Sequence, residues 1–403
     1  MYPALAILSL LALRDAIAQK QEGDSCVETH TGIVGRCSTP DKCNAARDDF
    51  QFNGIRPTFC KHSFEQVLVC CRDGSSILRT AGSADDGGGT ANDSNAGSGR
   101  VSERKCKEYS RGVMQRVDFI PLVPEPDAQT ISAANCNYTG VELIVGGEVA
   151  EQGEFPHMAA IGWANDEGGY TFGCGGSVIS PKFVLTAGHC TWQPRAREPA
   201  PVIVRLGDQN LDPAVKDGAS PIEVPIKATH RHPDYQPPKR YNDIALLELA
   251  ADVDFEGSIR PACLWPSPDF GGHERALATG WGATHSDNKK PSKELQKVSL
   301  TLLENDLCDQ LLQNAKNRLW TGFVPSQMCA GELRGGKDTC QGDSGSPLQV
   351  SSSDNQCVFY VMGVTSFGRE CAQSGQPAIY TRVSSYLDWI ESVVGRASDL
   401  HIG

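Results

Sequence analysis

A serine between small residues, a histidine beside a cysteine and an aspartate ahead of an apolar run are the side chains here that can do chemistry together. Ser344 stands in Gly342-Asp343-Ser344-Gly345-Ser346-Pro347, after Asp338-Thr339-Cys340-Gln341. Glycines in such a turn let backbone N–H groups approach a carbonyl oxygen. His189 lies in Thr186-Ala187-Gly188-His189-Cys190, and Asp243 in Asn242-Asp243-Ile244-Ala245-Leu246-Leu247. A serine hydroxyl is a poor nucleophile until a base takes its proton. Histidine, titrating near neutrality, is suited to that work, and a carboxylate can orient the imidazole. Each motif alone has a plainer reading: small polar turns are common, and an Asp before an apolar strand is ordinarily a turn residue. Their order, His then Asp then Ser, is one of the known chain orders of a nucleophilic triad. Of nine histidines only His189 carries the motif; His230 and His232 are expected on a surface loop.

The elements around these residues read as strands. Ser177–Ser180, Phe183–Thr186, Val202–Leu206 and Val361–Ser366 are short, apolar and rich in β-branched residues, with turn signals between them. That predicts an all-β domain. Tyr386–Val394 spaces its apolar residues as a helix does and predicts a C-terminal helix packed on it.

The chain of 403 residues has room for two or three domains. Its net charge of −12 argues against nucleic acid. Sixteen cysteines fit an oxidising compartment. Ala4–Leu13 is a short apolar run followed by Ala16-Ile17-Ala18, so residues 1–18 read as a signal peptide. A run of about ten apolar residues is too short to span a bilayer. A secreted, extracellular protein with no membrane partner is expected. Asn92 and Asn137 open Asn-x-Ser/Thr triplets, candidate glycosylation sites.

Cys26, Cys37, Cys43, Cys60, Cys70 and Cys71 crowd a stretch too short for a self-sufficient core, so disulfides are expected to support it. Six cysteines allow fifteen pairings, which spacing alone does not decide. A direct Cys70–Cys71 bond would be strained. Zinc is disfavoured, because no paired Cys-x-x-Cys spacing occurs. Gln66–Cys71 reads as a strand. Residues 72–105 turn to Gly, Ser, Asp, Asn and Ala; with almost no apolar side chains they read as a flexible tether.

The three motifs, together with Ile144-Val145-Gly146-Gly147, resemble the trypsin/chymotrypsin family of serine proteases over Ile144 to about Val394. Six cysteines ending in Cys-Cys ahead of such a domain resemble the clip domain of arthropod proteases, and the layout with Cys106 and Cys136 is closest to the snake-like subgroup. The resemblance implies a mainly β fold: a trypsin-like double six-stranded β-barrel with a C-terminal helix, preceded by a small disulfide-rich clip domain at 26–71. Residues 106–143 would complete a light chain, 144–395 the protease domain and 396–403 a tail. In the clip domain it implies Cys26–Cys70, Cys37–Cys60 and Cys43–Cys71. In the protease it implies Cys174–Cys190, Cys308–Cys329 and Cys340–Cys371. Cys136–Cys263 and Cys106–Cys357 are expected to hold the light chain, with the crossed pairing as the alternative.

The resemblance also assigns roles. Ser344 is the nucleophile, His189 the base and Asp243 its orienter, while Gly342 and Ser344 supply the oxyanion-hole N–H groups. Asp338 forms the floor of a pocket for Arg or Lys, flanked by Ser366, Gly368 and Ala378, with Ser366–Gly368 pairing substrate backbone. Cleavage of Leu143–Ile144 would free an ammonium that pairs with Asp343. Three positions depart from the family. Leu143 replaces the usual Arg or Lys, which implies an upstream protease with non-tryptic specificity. Ala378 replaces a glycine and suggests a bias toward Arg over Lys. Gly188 replaces an alanine. No cofactor is expected for the chemistry. Near Asp208–Asp217 a calcium loop stands against the plainer reading of a solvated acidic loop, and Pro377 resembles relatives without a sodium site. The expectation is a secreted endopeptidase zymogen of a haemolymph-like fluid. It would cut after Arg in a downstream zymogen of an immune or developmental cascade and be stopped by a serpin, with the clip domain binding a further partner. The alternative is a non-catalytic homologue acting as a cofactor or adaptor.

Overall fold

The computed structural model describes residues 21–27, 34–40, 42–43, 46, 57–62, 67–71, 99–111, 114–119, 129–134, 136, 147–194, 196–255, 258–283, 291–333, 343–352, 355–368 and 375–399. The chain divides into two units, 1–93 and 94–403. In the first, β1 (Ser25–Val27), β2 (Val34–Ser38), β3 (Phe59–His62) and β4 (Val67–Cys71) form an antiparallel sheet in the order β1-β2-β4-β3. Leu68 and Val69 are its main buried apolar side chains. So small a core needs covalent help. Disulfides Cys26–Cys70, Cys37–Cys60 and Cys43–Cys71 tie the sheet to itself and to the segment around Cys43.

The second unit opens with helix α1 (Val101–Ser110), the antiparallel pair β5 (Met114–Phe119) and β6 (Gln129–Ala134), and the short β7 (Glu148–Val149). Six strands then close a barrel: β8 (Met158–Ala164), β9 (Tyr170–Ser180), β10 (Phe183–Thr186), β11 (Ile203–Leu206), β12 (Ile222–Arg231) and β13 (Ala245–Leu249). Inward-facing Ile161, Val178, Leu185, Val204 and Leu247 fill it. A second set follows: β14 (Cys263–Leu264), β15 (Arg275–Gly280), β16 (Gln296–Leu303), β17 (Gln327–Gly331), β18 (Pro347–Ser351), β19 (Phe359–Phe367) and β20 (Ala378–Arg382). The path β19-β18-β15-β16-β17-β20 is closed by pairing of β19 with β20, giving a second six-stranded barrel, with β14 and β7 added outside. Closure leaves no open edge to either ring. Helix α2 (Asn305–Leu311) sits between β16 and β17, and α3 (Leu387–Asp399) ends the fold. Leu387, Ile390 and Val393 recur at helical spacing and are buried on the first barrel's apolar cluster.

Four expectations are corrected. The tether does not run to 105, because α1 begins at Val101. The Arg100 N–H donates to Glu103 at 2.9 Å, across the first helical turn. Ser102 donates through its N–H and hydroxyl to Glu391 of α3 at 3.0 and 2.7 Å, so this stretch is fastened to the protease unit. The helix expected over Tyr386–Val394 continues to Asp399, into the stretch expected as a tail. His230 is not on a surface loop, whereas His232 lies just past β12 in the connection to β13, as expected, and is packed. His230 lies in β12 with Nε2 3.1 Å from Glu248, and His232 packs edge-on against Tyr386 and Trp389.

The fourth correction concerns the light-chain disulfides. The bonds are Cys106–Cys263 and Cys136–Cys357, not Cys136–Cys263 and Cys106–Cys357. Cys263 pairs in register with Tyr360, three residues from Cys357, and all four cysteines share one cluster. Either pairing is therefore within reach locally. The choice follows from α1 lying against β14, which delivers Cys106 to Cys263 and leaves Cys357 to Cys136. Disulfides Cys174–Cys190 and Cys308–Cys329 also form. Cys340 and Cys371, like Asn92 and Asn137, lie outside the described residues.

Candidate active site

Three chain segments bring their side chains to the seam between the barrels. His189 is on a single 3-10 turn, Gly188–Thr191, directly after β10. Cys190 in that turn is bonded to Cys174 of β9. Asp243 precedes β13, and Asn242 before it takes the left-handed conformation (φ 55°) that asparagine tolerates better than most residues. The Asn242 side chain is held from two sides: Tyr386 donates to it at 2.9 Å, and it donates to the Asp234 carbonyl at 3.2 Å.

Asp243 is 4% exposed and fully engaged. It accepts the His189 backbone N–H and the His189 Nδ1–H, each at 2.8 Å, and the Ser366 hydroxyl. Thr381 donates to its backbone carbonyl at 2.8 Å. Burial disfavours the carboxylate, but the His189 charge and these hydrogen bonds outweigh it, so the carboxyl is held below its ordinary range. Burial likewise disfavours a protonated His189, and Asp243 outweighs that too, raising the imidazole above its usual value. Arg240 pushes weakly the other way. With Nδ1 donating to Asp243, neutral His189 presents Nε2 as the base.

Ser344 is half-buried in a turn closed by the Ser346 N–H to the Asp343 carbonyl at 2.9 Å. Gly345 has φ 80°, and a Cβ there would stand 2.2 Å from Thr186 Oγ1 and 2.5 Å from the Gly175 carbonyl, so glycine is required. The turn is tied by Gly345 N–H to Thr365 and Gly175 N–H to the Ser344 carbonyl, both 2.8 Å.

The other expected site residues fare differently. Asp343 is 9% exposed, with its carboxylate turned inward to accept the Gly282 N–H at 2.8 Å. Ser366 donates its hydroxyl to Asp243. Gly368 has nothing within 4 Å of where a Cβ would stand, leaving its backbone approachable. Ala378 is 1% exposed opposite Ala330, in the second barrel's apolar cluster. Asp338, Gly342, Leu143 and Ile144 lie outside the described residues. The Gly188 departure has a physical reason. A Cβ there would stand 2.9–3.1 Å from three atoms of the Tyr235 ring, so glycine lets that ring close over the turn carrying His189. Sequence reasoning missed Thr381, Asn242, Tyr235, Tyr386 and Arg240. Only Asn242, an asparagine before the aspartate, left a local signal.

In the acidic loop, a cavity of about 690 Å³ is walled by Asp208, Asp212, Asp217 and Glu223 among others. Arg205 pairs with Asp208 at 3.2 Å and donates to Glu223 at 3.0 Å, while Asp217 Oδ2 is buried without a partner among the described residues. An unsatisfied carboxylate oxygen in an oxygen-rich wall fits a hard cation such as calcium.

Comparison with known proteins agrees with this geometry. The trypsin family model matches residues 144–390. The serine protease snk of Drosophila melanogaster is 35% identical over 92% of this chain and 79% of its own length. Phenoloxidase-activating factor 3 of Holotrichia diomphalia is 37% identical over 62% of this chain and 72% of its own. The CLIP domain-containing serine protease B4 of Anopheles gambiae is 35% identical over 72% and 81%. The triad-like constellation between two six-stranded barrels, the cysteine-stapled sheet ahead of them and these matches lead to one assignment: the chain belongs to the trypsin family of serine proteases and, within it, to the arthropod clip-domain proteases.

Proposed function

We propose that the protein is a secreted serine endopeptidase zymogen that, once cut at Leu143–Ile144, hydrolyses peptide bonds after arginine, or lysine, in a downstream protease zymogen. The observation that carries the reading is the fully hydrogen-bonded Asp243 fixing His189 Nδ1 at 2.8 Å, beside the turn of Ser344 that Gly345 permits. In this mechanism His189 takes the Ser344 proton as Oγ attacks the scissile carbonyl. N–H groups of Gly342 and Ser344 hold the oxyanion, and His189⁺ then returns the proton to the leaving amine. Water repeats the sequence on the acyl-enzyme. Asp338 selects the cationic side chain by a charge-assisted pair.

Activation is read as a local change of charge. The ammonium freed at Ile144 pairs with the inward-turned Asp343 and orders the neighbouring loops. Leu143 does not suit an acidic pocket, so a protease of non-tryptic specificity acts upstream. Phenoloxidase-activating factor 3 is by its name an activator of phenoloxidase, which supports a place for this chain in a protease cascade; in this reading the cascade is extracellular, of immunity or development, a serpin is the brake and the clip domain docks a further partner. Calcium would be held by Asp208, Asp217 and neighbouring oxygens as a structural ion.

The test uses the zymogen and its Leu143→Arg variant, each treated with trypsin. New N-termini are sequenced, Arg, Lys and Phe peptides assayed, and Ser344 labelled with a serine-directed phosphonate. Expected is an Ile144 N-terminus and arginine-directed activity in the variant alone. A correctly cut variant that neither cleaves nor labels would establish the adaptor reading instead. Equal activation of the parent would overturn the reading of Leu143.

A further inference from the structure

Arg240 sits where a cation has no evident structural duty. Its guanidinium carbon lies 4.4 Å from the centroid of the Phe367 ring, a cation–π arrangement. Its backbone is fixed on both sides: its N–H donates to the Leu319 carbonyl at 3.2 Å, and its carbonyl accepts Gln327 Nε2 at 2.9 Å. The side chain makes no ion pair among the described residues, although the chain has 49 acidic residues to 37 basic. Other half-buried arginines donate to carboxylates or carbonyls: Arg205 takes Asp208 and Glu223, Arg275 takes Glu332, Arg100 takes Asp388 and Glu391, and Arg382, itself over the Phe270 ring, takes the Pro325, Pro268 and Gln327 carbonyls. Lys239 and Arg318, both exposed, flank Arg240 along the chain and across the Leu319 hydrogen bond. This rim is positive on a protein whose net charge is −12.

The rim adjoins the catalytic residues. Arg240 is three residues ahead of Asp243, and Phe367 follows Ser366, whose hydroxyl is bonded to Asp243. The pairing of β18 with β19 ends at Val364, and Thr365 makes the last contacts on that side, to Gly345 and Ser346. Past it, Ser366 to Gly368 offer backbone to an added strand, and Gly368 is open. On the reading that substrate pairs with Ser366 to Gly368, a peptide laid along this edge would pass the Phe367 ring ahead of the scissile residue, next to the Arg240 guanidinium.

Building on the reading of a protease that cuts after arginine, we propose that Arg240 is a specificity-determining residue that draws substrates carrying Asp or Glu among the three residues ahead of the scissile arginine. The partner is thus an acidic peptide segment ending in arginine. The guanidinium, pre-oriented on an aromatic face, loses little further freedom when a carboxylate arrives. A charge pair screened by salt on one side only is expected to favour Glu over Gln about tenfold in kcat/KM.

The test uses the enzyme activated through Leu143→Arg, with fluorogenic tetrapeptides ending in Arg that carry Glu, Gln or Lys at each of the three preceding positions. Expected is a Glu over Gln preference of about tenfold at one of them, with Lys poorest, narrowing as salt rises. In Arg240→Gln the Glu and Gln rates should fall within about twofold of each other, while Arg240→Lys keeps a reduced preference. Equal Glu and Gln rates in the parent at all three positions, or a preference that survives Arg240→Gln, would overturn the inference alone. Where Arg240→Gln fails to fold, Arg240→Lys decides: its Glu preference should be reduced, and one unchanged from the parent would overturn the inference. Cleavage of no arginine peptide would overturn the substrate reading, and the inference with it.

Discussion

Lys297→Met should cost more stability than any change on the surface of this protein. Glu154 lies in the turn entering β8 of the first barrel, and Lys297 lies on β16 of the second. The ammonium meets both carboxylate oxygens, at 2.6 and 2.9 Å, with side chains 9% and 1% exposed. The Glu151 N–H also donates to Glu154, at 2.8 Å. Taking away the cation leaves a carboxylate sealed from water with one backbone donor, a change that costs about 3–5 kcal/mol. At about 2–4 °C per kcal/mol for a domain of this size, the midpoint should fall by roughly 6–20 °C. The double variant Lys297→Met/Glu154→Leu removes the stranded charge and should recover at least about 2 kcal/mol of that loss, since apolar replacement of a buried pair is often close to neutral. Urea unfolding of the disulfide-intact protein, followed by tryptophan fluorescence, measures all four corners of the cycle. A single variant within about 1 kcal/mol of the parent, or a double variant that shows additive loss, would refute the argument that this pair is buried and coupled across the barrels.

Further outcomes follow from the same contacts. Asp243→Asn should lower kcat/KM of the activated enzyme by a factor on the order of 10⁴ and move the acid limb of its pH profile downward, because the carboxylate that raises His189 is gone; an unmoved limb would contradict the electrostatic assignment. The same pair adds stability that is complete below the ordinary histidine pKa of about 6.5 and fades as pH rises through the folded value. His157 behaves oppositely. Burial holds it neutral and pushes its pKa down to about 4, so stability is lost as pH falls from about 6.5 toward 4, by as much as about 3 kcal/mol. His157→Phe should flatten that acid slope, and a slope that persists would place the sensitive group elsewhere. Ser346 Oγ is buried without a partner among the described residues, so Ser346→Ala should stabilise the zymogen by about 1 kcal/mol in urea unfolding; a loss would mean the hydroxyl has a partner, such as water. Millimolar calcium should raise the zymogen's melting temperature, and Asp217→Asn should abolish the rise; a calcium response unchanged in that variant would discount the loop.

The sequence by itself determined the family, the strand-rich fold and which serine, histidine and aspartate form the candidate triad. These are legible because a nucleophile, its base and the base's orienter each need a particular residue type in a particular local turn. Gly345 at positive φ behind Ser344 and Asn242 in the left-handed region before Asp243 are such local requirements. The six clip cysteines were legible as a framework for the same reason, that so short a stretch cannot support a core. What only the tertiary structure decided is which distant groups meet. Cys106 took Cys263 because α1 lies on β14, while the neighbouring Cys357 would have served as well by spacing. Ser366 turned to Asp243, and Ala378 turned into the barrel. Arg240 came to rest on Phe367, 127 residues away in the chain. Pairings of this kind depend on barrel closure, which brings together residues whose local sequences carry no trace of one another.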